Sequence, residues 1–456
     1  MAIYNNTLGL IGNTPIVQIK SFDTGLCSLF LKLESQNPGG SIKDRIALTM
    51  IEAAERNGSL KKGGTIVEAT AGNTGIGLAL VAKLKSYNLV LVIPDKMSRE
   101  KINHLKALGA EIILTRSDVG KGHPEYYQDF AERIAKERNA FYVNQFNNSA
   151  NPTAHEIGTG PEIWSQMNHD VDAIILGVGS SGTLTGLTRF FSKVSPELEI
   201  VIADPIGSIL ADYVNKGILL TEAGSWVVEG IGEDFIPPIA DFTMCKKAYS
   251  ISDGESLETA RLLLKKEGIL GGSSTGTLLA SALKYCKEQT KPKRVLTFVC
   301  DNGNKYLSKQ FNEFWMVEEG FTKRNFLGDL RDLISHRAWE GESISLRQDD
   351  TLSVAYKRMK LYDVSQLPVL EDNRIIGILD ENDLLLSVST KKDDFSKKVS
   401  EIMTKNLVKI SEKESFEKVL EILKKGFVVI VESNDQFLGL ITQIDALNYL
   451  RKRITE

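Results

Sequence analysis

The feature that most constrains the fold is an alternation of short β-branched runs and amphipathic segments across residues 1–320. The runs "GGTIVEAT", "LVLVIPD" and "VDAIILGVG" are each followed by a stretch with helical periodicity. This alternation predicts an α/β fold built on parallel sheets. Because ligands of such sheets lie at the carboxyl ends of the strands, we expect the chemistry in the loops that follow them.

The last third of the chain has a different organisation. After a charged connector, predicted over residues 321–335, two similar units follow over about 336–395 and 396–456, each with the order helix, strand, turn, strand, helix. Two copies of this length predict a pseudo-symmetric pair, since a solenoid needs at least three repeats. Gly377 and Gly439 are predicted to open corresponding strands of the two units.

The composition excludes several classes of protein. A formal net charge of −4 leaves no broad basic face for nucleic acid. No apolar run approaches the roughly 20 residues of a membrane helix, and the first residues lack the regions of a signal peptide. The four cysteines have no spacing typical of a metal site, which favours idle thiols in a reducing compartment. We therefore expect a cytoplasmic protein that binds no nucleic acid, membrane or metal.

The loop "PGGSIKDR" at residues 38–45 puts a lysine where a cation is unfavourable. The Ser41-x-x-Asp44 spacing predicts a capping box, so Lys43 falls in the first turn of a helix, beside the positive end of its dipole. A solvated surface lysine is one interpretation. The functional interpretation is a Schiff-base lysine whose pKa is lowered by the helix end and by neighbouring cations such as Arg45.

Three further loops are rich in glycine and small hydroxyl residues. The loop "EATAGNTGIG" at 68–77 suits a small carboxylate, and "LGGSSTGT" at 270–277 is a serine-bearing turn. The loop "GVGSSGT" at 177–183 follows a strand and suits a phosphate. It also matches the dinucleotide fingerprint G-x-G-x-x-G, with Asp204 at the next strand end, so an NAD-dependent oxidoreductase stays open.

One ligand would use all four loops. Pyridoxal phosphate (PLP) needs a lysine for its aldehyde, a phosphate cradle, a group beside its ring oxygen and a partner for its ring nitrogen. These needs are met in turn by Lys43, the loop 179–183, Asn73 and Ser273. A dinucleotide explains only the phosphate loop. A catalytically silent nucleotide sensor is an alternative of a different class.

Several motifs resemble those of one enzyme family. "IGNTPIV", "LESQNPGGSIKDR", "GNTGIGLA" and "GSSGTLTG" resemble the fold-type II PLP enzymes of the cysteine synthase and cystathionine β-synthase family. "PDKMSREK", "ADPIGSILAD" and "VEGIGEDFIPP" resemble the second of these branches, and the two C-terminal units resemble a tandem pair of CBS domains, a Bateman module. The resemblance implies a tryptophan synthase β-like fold with two parallel-sheet subdomains, followed by a regulatory pair of CBS domains.

The resemblance also implies roles for individual residues. Lys43 is the implied catalytic residue, and the implied cofactor-binding residues are Lys43, Asn73, Gly179, Ser180, Ser181, Gly182, Thr183 and Ser273. The implied substrate-binding residues are Thr70, Ala71, Asn73, Thr74 and Gln145, of which all but Ala71 are implied to bind the carboxylate. Ala71 stands where the family usually has serine, which removes one hydroxyl near the substrate. Ser181 stands where the family usually has glycine, so its backbone must tolerate a side chain.

The implied activity is a β-replacement that condenses L-serine with L-homocysteine to L-cystathionine and water, with release of hydrogen sulfide from cysteine as a further activity. Phe146, within "NQFNNSANP", is more like cysteine synthase, which keeps an O-acetylserine-dependent cysteine synthase or cystathionine synthase open. The chain begins almost at "IGNTP", without the haem-binding extension of the animal enzyme, so no haem is expected.

The resemblance implies a nucleotide site in the CBS-domain pair. Thr442 and Asp445 of the second repeat match the family's ribose contacts, whereas the first repeat has Asp380 in the threonine position. We expect S-adenosylmethionine, or AMP or ATP, to prefer the site built on Thr442 and Asp445. The alternative is a pair that binds nothing and only mediates assembly. Such a pair usually dimerises, so a homodimer or larger homo-oligomer is expected.

Overall fold

The computed structural model describes residues 3–70, 72–95, 99–116, 118–119, 122–219, 223–322, 327–341, 343–389 and 394–455. The chain divides into two compact units, Met1–Thr322 and Lys323–Glu456. The strands are β1 (Ile16–Ile19), β2 (Ser28–Lys32), β3 (Thr65–Ala69), β4 (Asn88–Pro94), β5 (Glu111–Thr115), β6 (Phe141–Tyr142), β7 (Ala173–Leu176), β8 (Glu199–Pro205), β9 (Cys245–Ile251), β10 (Arg294–Phe298), β11 (Gln366–Glu371), β12 (Arg374–Asp380), β13 (Lys409–Ser411), β14 (Val429–Ser433) and β15 (Gln436–Ile441).

The helices are α1 (Lys43–Arg56), α2 (Asn73–Lys85), α3 (Arg99–Ala107), α4 (Tyr127–Glu137), α5 (Ala150–Ala154), α6 (Gly160–Gln166), α7 (Gly182–Val194), α8 (Leu210–Lys216), α9 (Asp253–Glu267), α10 (Ser273–Lys287), α11 (Glu313–Glu318), α12 (Leu352–Tyr362), α13 (Glu381–Val388), α14 (Phe416–Lys424) and α15 (Gln443–Thr455). A π-helical turn, His155–Thr159, joins α5 to α6. Short 3₁₀ turns lie at Thr7–Leu10, Glu34–Gln36, Gly303–Tyr306, Leu330–Leu333, Ala338–Glu340, Asp394–Ser396 and Val399–Glu401.

The first unit contains two sheets. Six strands pair in the order β1-β2-β10-β7-β8-β9, in which β1 is antiparallel to β2 and the other pairs are parallel. Four parallel strands form the second sheet in the order β5-β4-β3-β6. These parallel sheets with intervening helices confirm the predicted α/β fold.

The central strands of both sheets are apolar and buried along most of their length. All four residues of β7 are buried, and the last six residues of β4 are buried in succession. Parallel strands that are covered on both faces need apolar side chains at nearly every position. Leu29, Ile174 and Leu296 pack in the core of the larger sheet, and Ile66 and Leu91 in that of the smaller one. The packed strands give firm support to the loops at their carboxyl ends.

The second unit repeats one hairpin. β11 pairs antiparallel with β12, and β14 pairs antiparallel with β15 and parallel with β13. Gly377 and Gly439 lie inside β12 and β15, so the prediction that they open these strands is wrong. A Cβ at Gly377 would stand 2.5 Å from the Met403 sulfur, and one at Gly439 would stand 2.3 Å from Ile334 Cγ2. Close packing against each hairpin explains both glycines.

Part of the segment predicted as a connector belongs to a core. Leu330, Leu333 and Ile334 are buried with Val419 and Ile441 in the second unit. The precise boundaries of the connector and of the two repeats stay predictions.

No helix in the described part of the chain is long and apolar enough to cross a membrane. Those same residues contain no group of three or more His, Cys, Asp or Glu side chains that could hold a metal ion. All four cysteines are free thiols.

Candidate active site

A cavity of about 820 Å³ in the first unit is formed by the starts of α1, α2 and α7 and by the irregular segment 224–235. Among the predicted site residues, those that line it are Lys43, Thr70, Asn73, Thr74, Gln145, Gly179, Ser180 and Thr183. Ser181, Gly182 and Ser273 are not on its surface, and Ala71 lies outside the described residues. Because Ser274 also lines the cavity, all four predicted loops converge on it.

Lys43 is the first residue of α1, as predicted, but the capping box is not formed. Ser41 Oγ accepts a hydrogen bond from the N–H of Lys43 at 3.2 Å, and the Asp44 carboxylate accepts one from the N–H of Gly39. Asp44 is fully buried, and a Cβ at position 39 would lie 2.4 Å from its Oδ1. The Asp44 carboxylate therefore binds the nearby Gly39 N–H and does not cap the start of α1.

The surroundings of Lys43 disfavour its ammonium form. Burial lowers the pKa of Lys43, and the acidic groups of Cys300, Glu233 and Asp301 only partly oppose this effect. The side chain lines the cavity, so the amine is withdrawn from bulk solvent but can reach a bound ligand. A lysine that is easily deprotonated in this way can act as a nucleophile or as a base.

Arg45 does not contribute to this effect in the way that the sequence suggested. Its guanidinium forms ion pairs of 2.7 Å with Glu34 and with Glu162, and Glu162 also pairs with the buried Lys32 at 3.0 Å. These charges compensate one another inside the protein. Burial, rather than a neighbouring cation, is the main reason for the lowered pKa of Lys43.

Asn73 is the first residue of α2, lines the cavity and is held by two groups behind the cavity wall. Its Nδ2 donates to Asp301 Oδ2 at 2.8 Å, and its Oδ1 accepts from Lys305 Nζ at 2.8 Å. Beside it, Thr74 Oγ1 donates to Gln145 Oε1 at 2.8 Å. The three predicted side chains are thus held in place by hydrogen bonds near the start of the helix, where N–H groups can receive a carboxylate.

Lys305 connects this turn to the loop that precedes Lys43. Besides Asn73, its Nζ donates to the carbonyl oxygens of Gly39 and Gly40, each at 3.1 Å. Burial lowers the pKa of Lys305, and the carboxylate of Asp301 opposes this. One buried ammonium therefore fixes two loops of the cavity relative to each other.

The glycine-rich loop after β7 has the shape of an anion cradle. Ser181 has φ +63°, a left-handed conformation that favours glycine, so its backbone does carry a side chain where one is unfavourable. Gly182 begins α7, and a Cβ there would stand 1.8 Å from Asn151 Oδ1. Asn151 Nδ2 donates to Ser180 Oγ at 3.0 Å, which holds the loop against α5. The N–H groups at the start of α7 are the donors that a phosphate needs.

Asp204 is unsuited to the role that a dinucleotide would require. It is fully buried, and its Oδ2 accepts a hydrogen bond from the N–H of Ala211 in α8 at 2.9 Å. Burial raises the pKa of Asp204 to about 6. Because this carboxylate binds α8, it does not reach a ribose in the cavity. The dinucleotide hypothesis therefore lacks the acidic ribose contact that the fingerprint requires.

Ser273 and Ser274 stand at the start of α10, but Ser274 is the one on the cavity wall. The Ser273 hydroxyl is buried and accepts a hydrogen bond from the N–H of Glu229 at 3.0 Å. Ser274 lies beside Cys300, whose pKa is raised to about 12 by burial. Ser274 is therefore a second candidate for contact with a ring nitrogen, which the sequence alone did not suggest.

Sequence reasoning missed several groups of the cavity. These are Lys101, Glu229, Glu233, Cys300 and Tyr306 on its wall, with Asp301 and Lys305 behind it. Lys101 pairs with Glu229, which also accepts from Lys309 at 2.7 Å. The segment "CDNGNKY" follows β10 directly, so the rule that ligands bind at strand ends could have found it. Glu229 and Glu233 follow no strand, and no such signal was available for them.

The predicted nucleotide residues of the second unit lie together at the start of α15. Asp445 Oδ2 accepts from the Thr442 N–H at 2.8 Å and from its Oγ1 at 2.5 Å, and the other carboxylate oxygen accepts from Ser335. In the first repeat, Asp380 and Asp383 form a reciprocal capping box at the start of α13. The hydroxyl found in the second repeat has no counterpart at Asp380.

The fold and the cavity define a class of enzyme. Residues 7–301 match the family described as pyridoxal-phosphate dependent enzyme, and residues 331–389 and 399–452 each match the CBS domain. The chain belongs to the pyridoxal-phosphate-dependent enzyme family, in the branch that carries CBS domains and includes cystathionine β-synthase.

Named proteins are similar over much or all of the chain. The cystathionine β-synthase of Apis mellifera is 36% identical, and the match covers 99% of this chain and 92% of that protein. The structure of a hydrogen sulfide-producing enzyme from Fusobacterium nucleatum has a TM-score of 0.63 and 38% identity, covering 67% of this chain and 100% of that one. The O-acetylserine dependent cystathionine β-synthase of Helicobacter pylori has a TM-score of 0.62 and 34% identity, covering 68% and 99%. The family predicted from the motifs is confirmed.

Proposed function

We propose that this protein uses PLP to condense L-serine with L-homocysteine, giving L-cystathionine and water. The observation that carries the proposal is a lysine of lowered pKa, Lys43, in one cavity with a glycine-rich anion cradle. The similarity to a cystathionine β-synthase along the full chain supports this choice of substrates. Release of hydrogen sulfide from cysteine would use the same site, as the name of the Fusobacterium nucleatum neighbour suggests.

The residues of the cavity fit PLP. In the proposal, Lys43 binds the aldehyde, Asn73 lies beside the ring hydroxyl and Ser273 or Ser274 meets the ring nitrogen. The phosphate is held by the cradle of Gly179, Ser180, Ser181, Gly182 and Thr183. The clash that a Cβ at Gly182 would make with Asn151 supports this, because the backbone there must pack closely to present its N–H groups. Haem has no part in the proposal.

Each polar group has a task in the proposed reaction. Bound PLP withdraws electrons from the substrate's Cα and makes its proton acidic. The Lys43 amine, whose pKa is lowered by burial, accepts that proton from Cα and later returns it. Thr70, Thr74 and Gln145 bind the substrate's carboxylate near the N–H groups of α2, which fixes the Cα–H bond towards Lys43.

A second candidate differs only in the amino-acid donor. The Helicobacter pylori neighbour is named as O-acetylserine dependent, which favours O-acetylserine as the alternative to serine. Phe146 lies 5.4 Å from Phe235, ring centre to ring centre, and both line the cavity. This apolar wall can accept an acetyl group, so a structural observation also favours the second candidate.

The experiment that separates the candidates is a two-by-two comparison of kcat/KM. Serine or O-acetylserine is combined with homocysteine or sulfide. The proposal requires the highest kcat/KM for serine with homocysteine. Efficient use of O-acetylserine with sulfide, and poor use of serine with homocysteine, would overturn it in favour of cysteine synthase.

We further propose that the CBS-domain pair binds an adenosyl ligand at Thr442 and Asp445. S-adenosylmethionine is the first choice and AMP or ATP the alternatives. The hydroxyl and carboxylate at the start of α15 support this, since such a pair can hold the two hydroxyls of a ribose. Calorimetry with each ligand tests the proposal, and no heat with any of them would refute it. The proposal includes a cytoplasmic homodimer or larger homo-oligomer.

A further inference from the structure

Glu233 is a carboxyl group on the cavity wall to which neither the motifs nor the proposed reaction has given a task. It follows Gly230 and Gly232, which both have φ +87°, a conformation that turns the chain along the cavity. Its backbone is clamped by Ser208, whose Oγ accepts from the Glu233 N–H at 3.0 Å and donates to the Glu233 carbonyl at 3.2 Å. The backbone position of Glu233 on the cavity wall is therefore fixed by the fold.

The Glu233 carboxyl group is directed at the cavity and not at another side chain. Within the described residues it forms no hydrogen bond and no ion pair through its side chain, although Lys43 is near enough to act on its charge. Its Oε1 also lies 3.8 Å from the point that a Cβ at Gly179 would occupy, beside the anion cradle. A partly buried carboxyl group that is near both the amine and the cradle is therefore available to a ligand.

The surroundings of Glu233, above all its burial, favour the protonated form of its carboxyl group. Burial raises the pKa of Glu233 to about 8, and the carboxylates of Asp234 and Asp204 act in the same direction. Lys43 opposes them. Tyr126 and Tyr127, which also line the cavity, have pKa values raised chiefly by burial, so they are weaker acids than Glu233.

The proposed reaction leaves a task for an acid of this kind. Hydroxide is a poor leaving group, because its conjugate acid, water, has a bulk pKa of about 15.7. Acetate leaves without help, because a carboxylic acid has a pKa of about 4. An enzyme that uses serine therefore needs a proton at the β-oxygen at the moment that the bond to Cβ breaks.

We propose that Glu233 is the catalytic acid that protonates the β-hydroxyl of serine as it leaves. This inference rests on the proposed function. The Cα–H bond breaks and its proton goes to Lys43, while the Cβ–O bond breaks and the oxygen takes a proton from Glu233 and departs as water. The incoming thiol then forms the Cβ–S bond, its S–H proton passes to the Glu233 carboxylate, and Lys43 returns its proton to Cα. Both residues are restored, and no oxidant or reductant is consumed.

The test compares Glu233→Gln with the wild-type holoenzyme in the first half of the reaction. The enzyme is mixed rapidly with serine or O-acetylserine in the absence of thiol, and the absorbance change of the cofactor is followed. We expect the variant to lose at least about 100-fold in rate with serine, the size typical of a lost general acid, and less than about threefold with O-acetylserine. The matched control is Glu197→Gln, which changes the same residue type on the exposed surface.

The pH dependence gives a second readout. Since Glu233 must be protonated to act, the wild-type rate with serine should fall as pH rises above about 8, whereas the rate with O-acetylserine should not. Equal losses with both substrates, or no loss with either, would overturn the assignment of Glu233. Failure of wild-type enzyme to react with serine at all would instead overturn the proposed function, so the two failures can be told apart.

Discussion

Two helix starts in this chain share a local sequence pattern and use it in different ways. Ser41 and Asp44 flank the start of α1, and Thr442 and Asp445 flank that of α15, each pair three residues apart. At α15 the aspartate accepts hydrogen bonds from its own threonine. At α1 the Asp44 carboxylate accepts a hydrogen bond from the N–H of Gly39, and the Ser41 hydroxyl accepts one from the N–H of Lys43.

The difference shows that long-range packing, not the local pattern, decides what such an aspartate contacts. Near α1, buried Lys305 draws the carbonyls of Gly39 and Gly40 inwards, and Gly39 in turn reaches Asp44. The first turn of α1 is thereby directed at the cavity, with Lys43 on its surface. Near α15 no comparable cation is among the partners of Asp445 in the described residues, and the pair stays together.

The largest effect is expected on turnover, from a change at Lys43 at the start of α1. Lys43→Ala removes both the group for the cofactor's aldehyde and the base, so turnover should fall by about 10⁴-fold and the visible absorbance band should vanish. Purified protein and its spectrum are sufficient for the measurement. Lys61→Ala, at an exposed lysine, is the control. If Lys43→Ala kept the visible absorbance band, Lys43 could not be the residue that binds the aldehyde of PLP.

The second test removes the cation that distinguishes the two helix starts. Lys305→Met leaves three acceptors, on Gly39, Gly40 and Asn73, without their donor. We expect a loss of about 3 kcal/mol in the free energy of unfolding by urea, together with weaker binding of PLP. Lys309→Met, which removes a partly exposed ion pair with Glu229, should cost less than about 1 kcal/mol. Equal losses in the two variants would contradict the interpretation of Lys305.

The third test concerns α15. Asp445→Asn should weaken binding of S-adenosylmethionine by about 10-fold or more, because a charged hydrogen bond is worth about 1.5–3 kcal/mol. Asp383→Asn, the equivalent change at α13, should leave the affinity unchanged. Calorimetry on the full chain measures both. Similar losses of affinity in the two variants would show that both repeats contact the ligand. The expected preference for the site of Thr442 and Asp445 would then be wrong.

The last test concerns Asp44, where the expected effect depends on pH. Burial raises the pKa of Asp44 to about 6 in the folded protein, above the value of about 3.9 of an unfolded chain. The folded state therefore binds its proton more tightly, and this contribution to stability is lost as pH rises through 6. Asp44→Asn should lack a decline of about 2 kcal/mol between about pH 4.5 and 6.5. Urea unfolding of both proteins at these pH values measures the difference, and parallel curves would contradict the raised pKa.

Much of the cavity could be predicted because its loops follow strands. The phosphate loop after β7 and the Asn73 turn after β3 were both found in this way, and Lys43 was found from the helix start. Asp204 was weighed only as the ribose contact of the dinucleotide alternative, and the sequence did not show that its carboxylate binds the start of α8 instead. The choice between Ser273 and Ser274 depends on the rotation of α10, which packing determines.

Glu233 and Lys305 illustrate what the sequence could not supply. Glu233 lies in an irregular segment whose course depends on a clamp to Ser208, 25 residues earlier in the chain. Lys305 binds residues that are more than 230 positions away. Neither contact leaves a periodic or spacing pattern, because both arise when separate loops meet at one edge of the sheets.

The left-handed backbone at Ser181 has a consequence for the evolution and engineering of this chain. A residue with a side chain in this conformation costs roughly 1–2 kcal/mol that glycine would not. Screens for heat resistance should therefore recover glycine at position 181 repeatedly. The serine hydroxyl donates to the Ser180 carbonyl at 2.7 Å, a hydrogen bond within the cradle that the glycine variant would lose.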